Sequence, residues 1–176
     1  MFKRLQPDMY FDSAFSISPS FLLDKGIKAV ILDIDNTLVT HKDKYPTDEA
    51  KSWINDLINN NIHVLIASNN TKKRVSIFSE ALGVEYMSNC LKPSKKASIK
   101  ACKEFDVKPN EIAVIGDQIF TDIGCARNSG SLAILTKPIN HRENAFIKLK
   151  RILEKPIIGS FVKHNKDKCF QRSDFQ

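Results

Sequence analysis

Two aspartates separated by one residue stand directly after an apolar run and are the first candidates for chemistry in this chain. The run, residues 27–32, is rich in β-branched residues, which favours a strand buried on both faces. Asp33 and Asp35 then occupy positions i and i+2 of an extended segment, so their side chains project to the same side. Two adjacent carboxylates at the end of a buried strand destabilise a fold unless a cation or a reaction requires them. We therefore expect this pair to be functional.

Polar side chains also follow each of the next three apolar segments, one group after each. These groups are Ser68 with Asn69, then Lys92, then Asp117 with Asp122. Ligands of open parallel sheets bind at the carboxyl ends of the strands, so we expect all three groups to lie beside the aspartate pair. Carboxylates suit a hard cation such as Mg²⁺, while a hydroxyl and an ammonium suit phosphate oxygens. Each residue alone is common in loops, and their ordered occurrence is what indicates a site.

The elements that must position these residues alternate between apolar strands and amphipathic helices. Strands are predicted over residues 27–32, 62–67, 84–87, 111–115 and 131–135. This alternation predicts an α/β fold, in which a three-layer, Rossmann-like parallel sheet carries helices on both faces.

Two connecting segments bear on the shape of the expected site. Residues 39–62 have room for one loop and one helix, and residues 92–111 for one helix with its loops. Neither interval has room for an inserted second domain, so we expect a cap-less, open site. An open site suits a substrate whose bulk stays outside, such as a lipid head group in a bilayer, a protein or a nucleic-acid end.

Length and composition predict one globular domain. The chain has 176 residues, of which 42% are hydrophobic and 27% are charged. We expect a single domain over residues 1–155, formed by a lead over 1–26, a core over 27–136 and a basic C-terminal helix over 137–155. The polar mixture over 156–176 predicts a loose tail.

The basic character of the chain belongs to its C-terminal segment. Residues 1–136 contain 17 Lys and Arg against 16 Asp and Glu, whereas residues 137–176 contain 10 against 4. An amphipathic helix from Arg142 to Lys155 could lie on an anionic membrane, or pack on the sheet with a solvated basic face. A basic segment also suits a nucleic-acid backbone, which is the less favoured interpretation.

Cysteine usage and hydropathy indicate the compartment. No CxxC pair and no metal-type spacing occurs, so we expect reduced thiols at Cys90, Cys102, Cys125 and Cys169. The chain lacks a run of roughly 20 apolar residues that could span a membrane, and its N-terminus lacks a signal-peptide core. We expect a cytoplasmic protein without a transmembrane segment, peripheral at the inner membrane surface where it meets anionic lipid.

The order and identity of the motifs resemble the haloacid dehalogenase-like (HAD) phosphohydrolases. The matching motifs are DIDNT at 33–37, Ser68, Lys92 and GDQIFTD at 116–122, and the resemblance covers roughly residues 27–136. Four motifs in register make it specific.

Longer sequence words narrow the resemblance to subfamily IIIA. LQPDMY at 5–10, SNN at 68–70 and LKP at 91–93 are similar to the bacterial YqeG-type group. That group is in turn similar to mitochondrial and plastid phosphatidylglycerophosphate phosphatases.

The resemblance implies a Mg²⁺-dependent phosphomonoester hydrolase that works through an aspartyl-phosphate. Asp33 would be the nucleophile, and Asp35 would protonate the leaving oxygen and then deprotonate water. Ser68, Asn69 and Lys92 would bind the phosphoryl group. The implied metal ligands are Asp33, Asp35 through its backbone carbonyl, Asp117 and Asp122.

The substrate stays open at this stage. Phosphatidylglycerophosphate is the most suggestive, and a phosphoprotein, nucleotide or sugar phosphate is the alternative. An RNA- or ribosome-associated binding module would not need both Asp33 and Asp35, which are present. A phospho-acceptor receiver domain has its acidic pair and its acceptor on different strands, which the adjacent aspartates do not match. An Asp at the second acid position also favours a phosphatase over a dehalogenase or an ion pump.

Overall fold

A seven-stranded parallel sheet forms the centre of the structure, a computed structural model that describes residues 5–140 and 145–171. The strands are β1 (Met9–Phe11), β2 (Ala29–Leu32), β3 (His63–Ala67), β4 (Glu85–Met87), β5 (Ile112–Gly116), β6 (Leu132–Thr136) and β7 (Cys169–Phe170). They lie in the order β4-β3-β2-β5-β6-β1-β7, and each neighbouring pair is parallel. The predicted Rossmann-like sheet is confirmed.

Helices cover both faces of this sheet. They are α1 (Pro19–Asp24), α2 (Asp48–Asn59), α3 (Lys72–Glu80), α4 (Lys96–Phe105), α5 (Gly124–Ser129) and α6 (Ala145–His164). Alternate residues of β2 point to opposite faces: Val30 and Leu32 join the apolar cluster under α1, α2 and α3. Ala29 and Ile31 join the cluster under α4, α5 and α6. This double burial is why β2 has no polar residue, and the predicted three-layer arrangement is confirmed.

The connections at the carboxyl edge of the sheet are short. Between Leu32 and Asp48 the chain forms one loop, and between Met87 and Lys96 another. Neither contains an inserted domain, so the cap-less prediction is also confirmed. Within the described ranges, no helix has the length and apolar character needed to cross a bilayer.

The C-terminal segment differs from the expected loose tail. Helix α6 continues past Pro156, although proline removes one backbone hydrogen bond from a helix interior. It continues because Ile157 and Phe161 are buried against the body of the protein. The chain then forms β7, where Phe170 stacks on Phe11 with ring centroids 4.7 Å apart.

The N-terminal lead also contains regular structure. Strand β1 lies between β6 and β7, and α1 begins after Ser18, whose side chain accepts from the backbone N–H of Phe21. The two parts of the expected lead and tail that lie outside the described residues are 1–4 and 172–176. The same holds for residues 141–144, where the basic helix was predicted to begin.

Candidate active site

The loop after β2 holds the aspartate pair in a fixed turn. The N–H groups of Thr37, Leu38 and Val39 all donate to the carbonyl of Ile34, at 3.0–3.3 Å. Asn36 adopts φ +67°, a left-handed conformation that asparagine tolerates better than most residues. The turn therefore directs both carboxylates to the carboxyl edge of the sheet, as the sequence predicts.

A buried ammonium joins two of the predicted carboxylates. Lys92 Nζ lies 2.5 Å from Asp33 Oδ1 and 2.6 Å from Asp122 Oδ1, and all three side chains are at least nine-tenths buried. Burial disfavours the charged ammonium, but the carboxylates of Asp122 and Asp33 outweigh this effect and raise the pKa of Lys92. Lys92 therefore stays charged and reduces the repulsion between the two acids.

A third carboxylate completes an oxygen-rich cluster. Asp33, Asp117 and Asp122 each offer an oxygen, and these atoms lie within 4.8 Å of one another. Three buried carboxylates at this spacing suit a hard divalent cation. The carboxylate of Asp35 is not part of this cluster among the described residues, so a metal contact through its backbone carbonyl stays a prediction.

Asp122 reaches the cluster because the neighbouring strand ends in glycine. A π-helical turn over Ile119–Ile123 carries Asp122, and the backbone N–H of Gln118 donates to its Oδ2 at 3.2 Å. A Cβ atom on Gly116 would lie 2.3 Å from the Asp122 carboxyl carbon. Position 116 therefore has space only for hydrogen, and this explains the glycine of the GDQIFTD motif.

Three side chains hold the carboxylate of Asp35. Arg74 Nη2 donates to Oδ1 at 2.8 Å and Asn70 Nδ2 to Oδ2 at 3.1 Å, while His41 Nδ1 lies 3.4 Å from Oδ1. The sequence interpretation missed all three residues. Asn70 belongs to the SNN motif, and Arg74 lies in the first turn of α3, which begins two residues after that motif. Their closeness in sequence to Ser68 and Asn69 could have identified both as candidate site residues.

Asn69 binds the loop of Lys92. Its Nδ2 donates to the carbonyl of Lys92 at 3.1 Å, and its Oδ1 accepts from the N–H of Lys92 at 2.7 Å. The side chain thus positions the lysine, and a contact between Asn69 and phosphate stays a prediction. Ser68 is buried at the cleft, where its Oγ accepts from the N–H of Asn70 at 3.1 Å.

Helix α6 closes one side of the site, which the sequence interpretation expected to be open. The guanidinium of Arg151 donates to both the carboxylate and the backbone carbonyl of Asp117. It also lies 3.3 Å from Glu154, whose Oε1 accepts from the N–H of Phe120 at 3.1 Å. The site is therefore formed by four strand ends and by the C-terminal helix.

These side chains surround a cleft of about 480 Å³. Its lining residues are Asp33, Asp35, His41, Ser68, Asn69, Asn70, Lys92, Gln118, Thr121, Ile147 and Lys150. Burial raises the pKa of Asp33 to about 7 against the opposing effect of Lys92, and Asp122 and Asp35 raise it further. Burial also raises the pKa of Asp117, which Arg151 opposes. A bound cation would favour the ionised form of both groups.

Comparisons of the sequence with known proteins match this chain to a family. The family model described as "Mitochondrial PGP phosphatase" matches residues 3–140. The Bacillus subtilis protein named "Probable phosphatase YqeG" is 32% identical over 158 residues, which cover 90% of this chain and 92% of that protein. The chain belongs to this family. It is a HAD phosphatase of the YqeG type, and the predicted membership is confirmed.

Two further proteins show weaker similarity to this chain, one in sequence and one in fold. The Arabidopsis thaliana protein named "Phosphatidylglycerophosphate phosphatase 1, chloroplastic/mitochondrial" is 24% identical over 132 residues, which cover 70% of this chain and 38% of that protein. The cobalt-bound deoxy-D-mannose-octulosonate 8-phosphate phosphatase of Haemophilus influenzae superimposes with a TM-score of 0.53 at 19% identity. That match covers 78% of this chain and 93% of that one, and it shows the common fold.

Replacement of Gly116 by alanine should displace Asp122, because the added Cβ would overlap its carboxyl group. We expect phosphatase activity to fall by about 10²-fold or more, the usual effect of losing one preorganised polar contact. Gly159→Ala is the matched control, since a Cβ there meets open space within α6. The control should keep full activity in the same assay of phosphate release. Equal activity of the two variants would contradict the steric role of Gly116.

The raised pKa of Asp33 predicts a pH-dependent stability. With metal removed by EDTA, folded Asp33 keeps its proton up to about pH 7, whereas the unfolded chain releases it near 3.8. The folded state is thus favoured at low pH, and this stabilisation is lost progressively as the pH rises from about 3.8 and is gone once it passes about 7. Asp33→Asn should therefore become increasingly stabilising between pH 4 and 7, by on the order of 1–4 kcal/mol. Urea unfolding at several pH values measures this.

The exposed residue Asp56 on α2 supplies the control for that experiment. Asp56→Asn should change the free energy of unfolding by less than about 0.5 kcal/mol at every pH. A stabilisation by Asp33→Asn that stayed constant or shrank with rising pH would show that burial does not raise the pKa of Asp33.

Proposed function

We propose that this phosphatase uses Mg²⁺ and hydrolyses phosphomonoesters through an aspartyl-phosphate on Asp33. The observation that carries the proposal is the contact of one buried ammonium, Lys92, with Asp33 and Asp122 inside a cluster of three carboxylates. The cluster would hold the metal ion. The ammonium would neutralise phosphate oxygens beside the nucleophile.

In the first step, a carboxylate oxygen of Asp33 attacks phosphorus, and the bond from phosphorus to the leaving oxygen breaks. Asp35 gives its proton to that oxygen. In the second step, Asp35 takes a proton from water as the water attacks phosphorus, and the Asp33 carboxylate leaves with its electron pair. Mg²⁺ held by Asp33, Asp117 and Asp122 would supply positive charge beside the phosphoryl group. Arg74 keeps the Asp35 carboxylate in position for both transfers.

Substitution of the two acids separates these steps. With ³²P-labelled p-nitrophenyl phosphate, whose leaving group needs little protonation, Asp35→Asn should still form the aspartyl-phosphate and lose its hydrolysis. Asp33→Asn should form none and lose turnover by about 10³-fold or more. The measurement is hydroxylamine-sensitive label on the quenched protein, with the exposed Asp56→Asn as the active control. Label retained by Asp33→Asn would place the nucleophile elsewhere.

Among phosphomonoesters, we infer that phosphatidylglycerophosphate is the substrate. The family description and the Arabidopsis relative support this proposal. The shape of the site supports it too, because no inserted domain stands between β2 and α2 or between β4 and α4. A phosphate on a lipid in a bilayer could enter such a cleft while its acyl chains stay outside.

The outer face of α6 suits this substrate. Leu149, Ile152 and Leu153 are 55–60% exposed and lie on one face of the helix at the spacing i, i+3, i+4, and Lys148 and Lys155 flank them. Large exposed apolar side chains beside lysines are typical of helices that lie on anionic bilayers. The same helix contributes to the cleft lining. We therefore infer that α6 rests on an anionic membrane surface and presents the cleft to the lipid head group.

Ile152→Glu should weaken this membrane contact, because a charge would enter the apolar acyl boundary. We expect less protein to co-sediment with phosphatidylglycerol vesicles and slower phosphate release from phosphatidylglycerophosphate within them. Ile99→Glu is the matched control, since Ile99 is 55% exposed on α4, away from the cleft. Equal vesicle binding by both variants would exclude the α6 face. If phosphate were released, with metal present, only from soluble phosphoesters, the protein would still be a phosphatase but its substrate would be soluble.

A further inference from the structure

Arg151 is a cation from outside the family motifs that binds directly to the carboxylate cluster. Its guanidinium contacts Asp117 twice, at carboxylate Oδ2 and at the backbone carbonyl. The side chain of Asp117 is fully buried, and that of Arg151 is 16% exposed. A guanidinium bound at two points in a buried site is held more firmly than a surface ion pair.

Both oxygens of the Asp117 carboxylate are therefore engaged. The hydroxyl of Thr37 donates to Oδ1 at 3.3 Å, and Arg151 occupies Oδ2. A divalent cation bound by the three carboxylates would lie close to the positive guanidinium. Like charges repel more strongly in a buried site than in water, because the effective dielectric constant there is lower. The cation and Arg151 thus oppose each other at Asp117.

Glu154 gives the guanidinium a second partner. It lies one helical turn after Arg151, and the two side chains are 3.3 Å apart. Glu154 is fully buried, and the N–H of Phe120 holds its other oxygen. If Asp117 turned to a metal ion, Arg151 could keep a carboxylate contact without entering water. This matters because a buried charge left without a partner is strongly destabilising.

We propose that Arg151 is a positioning residue that lowers the affinity of the site for its divalent cation by competing for Asp117. Glu154 holds the guanidinium when the cation displaces it. The inference rests on the metal dependence proposed above. It makes α6 part of the metal site, because Arg151 and Glu154 both lie on this helix.

Calorimetric titration of the full chain with Mg²⁺ alone, at pH 8, tests this without any substrate. Arg151→Gln removes the competing charge and should tighten Mg²⁺ binding by roughly threefold or more. Glu154→Gln removes the alternative partner and should weaken it. Lys163→Gln removes an exposed charge from the last turn of the same helix and should leave the affinity unchanged. Opposite effects at neighbouring positions would not follow from a general loss of packing.

The outcomes separate this inference from the metal dependence itself. Unchanged or weaker Mg²⁺ binding by Arg151→Gln, with normal binding by the unmodified protein, would overturn the competition and leave the metal site intact. Absence of Mg²⁺ binding from every variant would overturn both. Arg151→Lys is the control for a variant that fails to fold. It keeps the positive charge but loses the two-point contact with Asp117, so its Mg²⁺ affinity should lie between those of the unmodified protein and Arg151→Gln. An affinity for Arg151→Lys outside that interval would also contradict the competition.

Discussion

The rest of the structure depends on how four buried carboxylates are kept together at one sheet edge. Transfer of each ion out of water costs on the order of several kcal/mol, and mutual repulsion adds to that cost. Lys92 offsets part of it through contacts with Asp33 and Asp122, while Arg151 and Arg74 each neutralise one further acid. The compensation is incomplete, because Asp33 retains a pKa of about 7. A carboxylate whose charge is not fully neutralised here should bind a divalent cation. In the absence of that cation it lowers the free energy of unfolding compared with an apolar residue.

Two residues around the carboxylate cluster, Gly116 and Asn69, serve to position its members. Gly116 provides space for Asp122, and Asn69 binds both main-chain groups of Lys92 so that the ammonium reaches its partners. Parallel strands supply the common edge, since every strand that carries a site residue points its carboxyl end the same way. The close spacing of the carboxylates therefore suits a cation and also destabilises the folded site.

Helix α6 connects the site with the molecular surface. Its inner face is buried through Ile157 and Phe161, another face lines the cleft through Ile147 and Lys150, and its outer face is apolar and exposed. Helix α6 follows β6 along the chain and lies beside the cleft. The helix that packs on the body of the protein therefore also borders the entrance to the site.

The sequence by itself determined the core strands β2 to β6 within two residues, the α/β class and the aspartates, Ser68 and Lys92 that meet at the sheet edge. It could do so because apolar periodicity and strand-end motifs are local patterns. Tertiary structure alone decided that the helix passes Pro156, that β1 and β7 extend the sheet, and that Asn69 holds Lys92. It also decided that Arg74 and Arg151 bind aspartates 39 and 34 residues away. Such contacts connect segments with no shared periodicity, so only the packing of the whole chain brings them together.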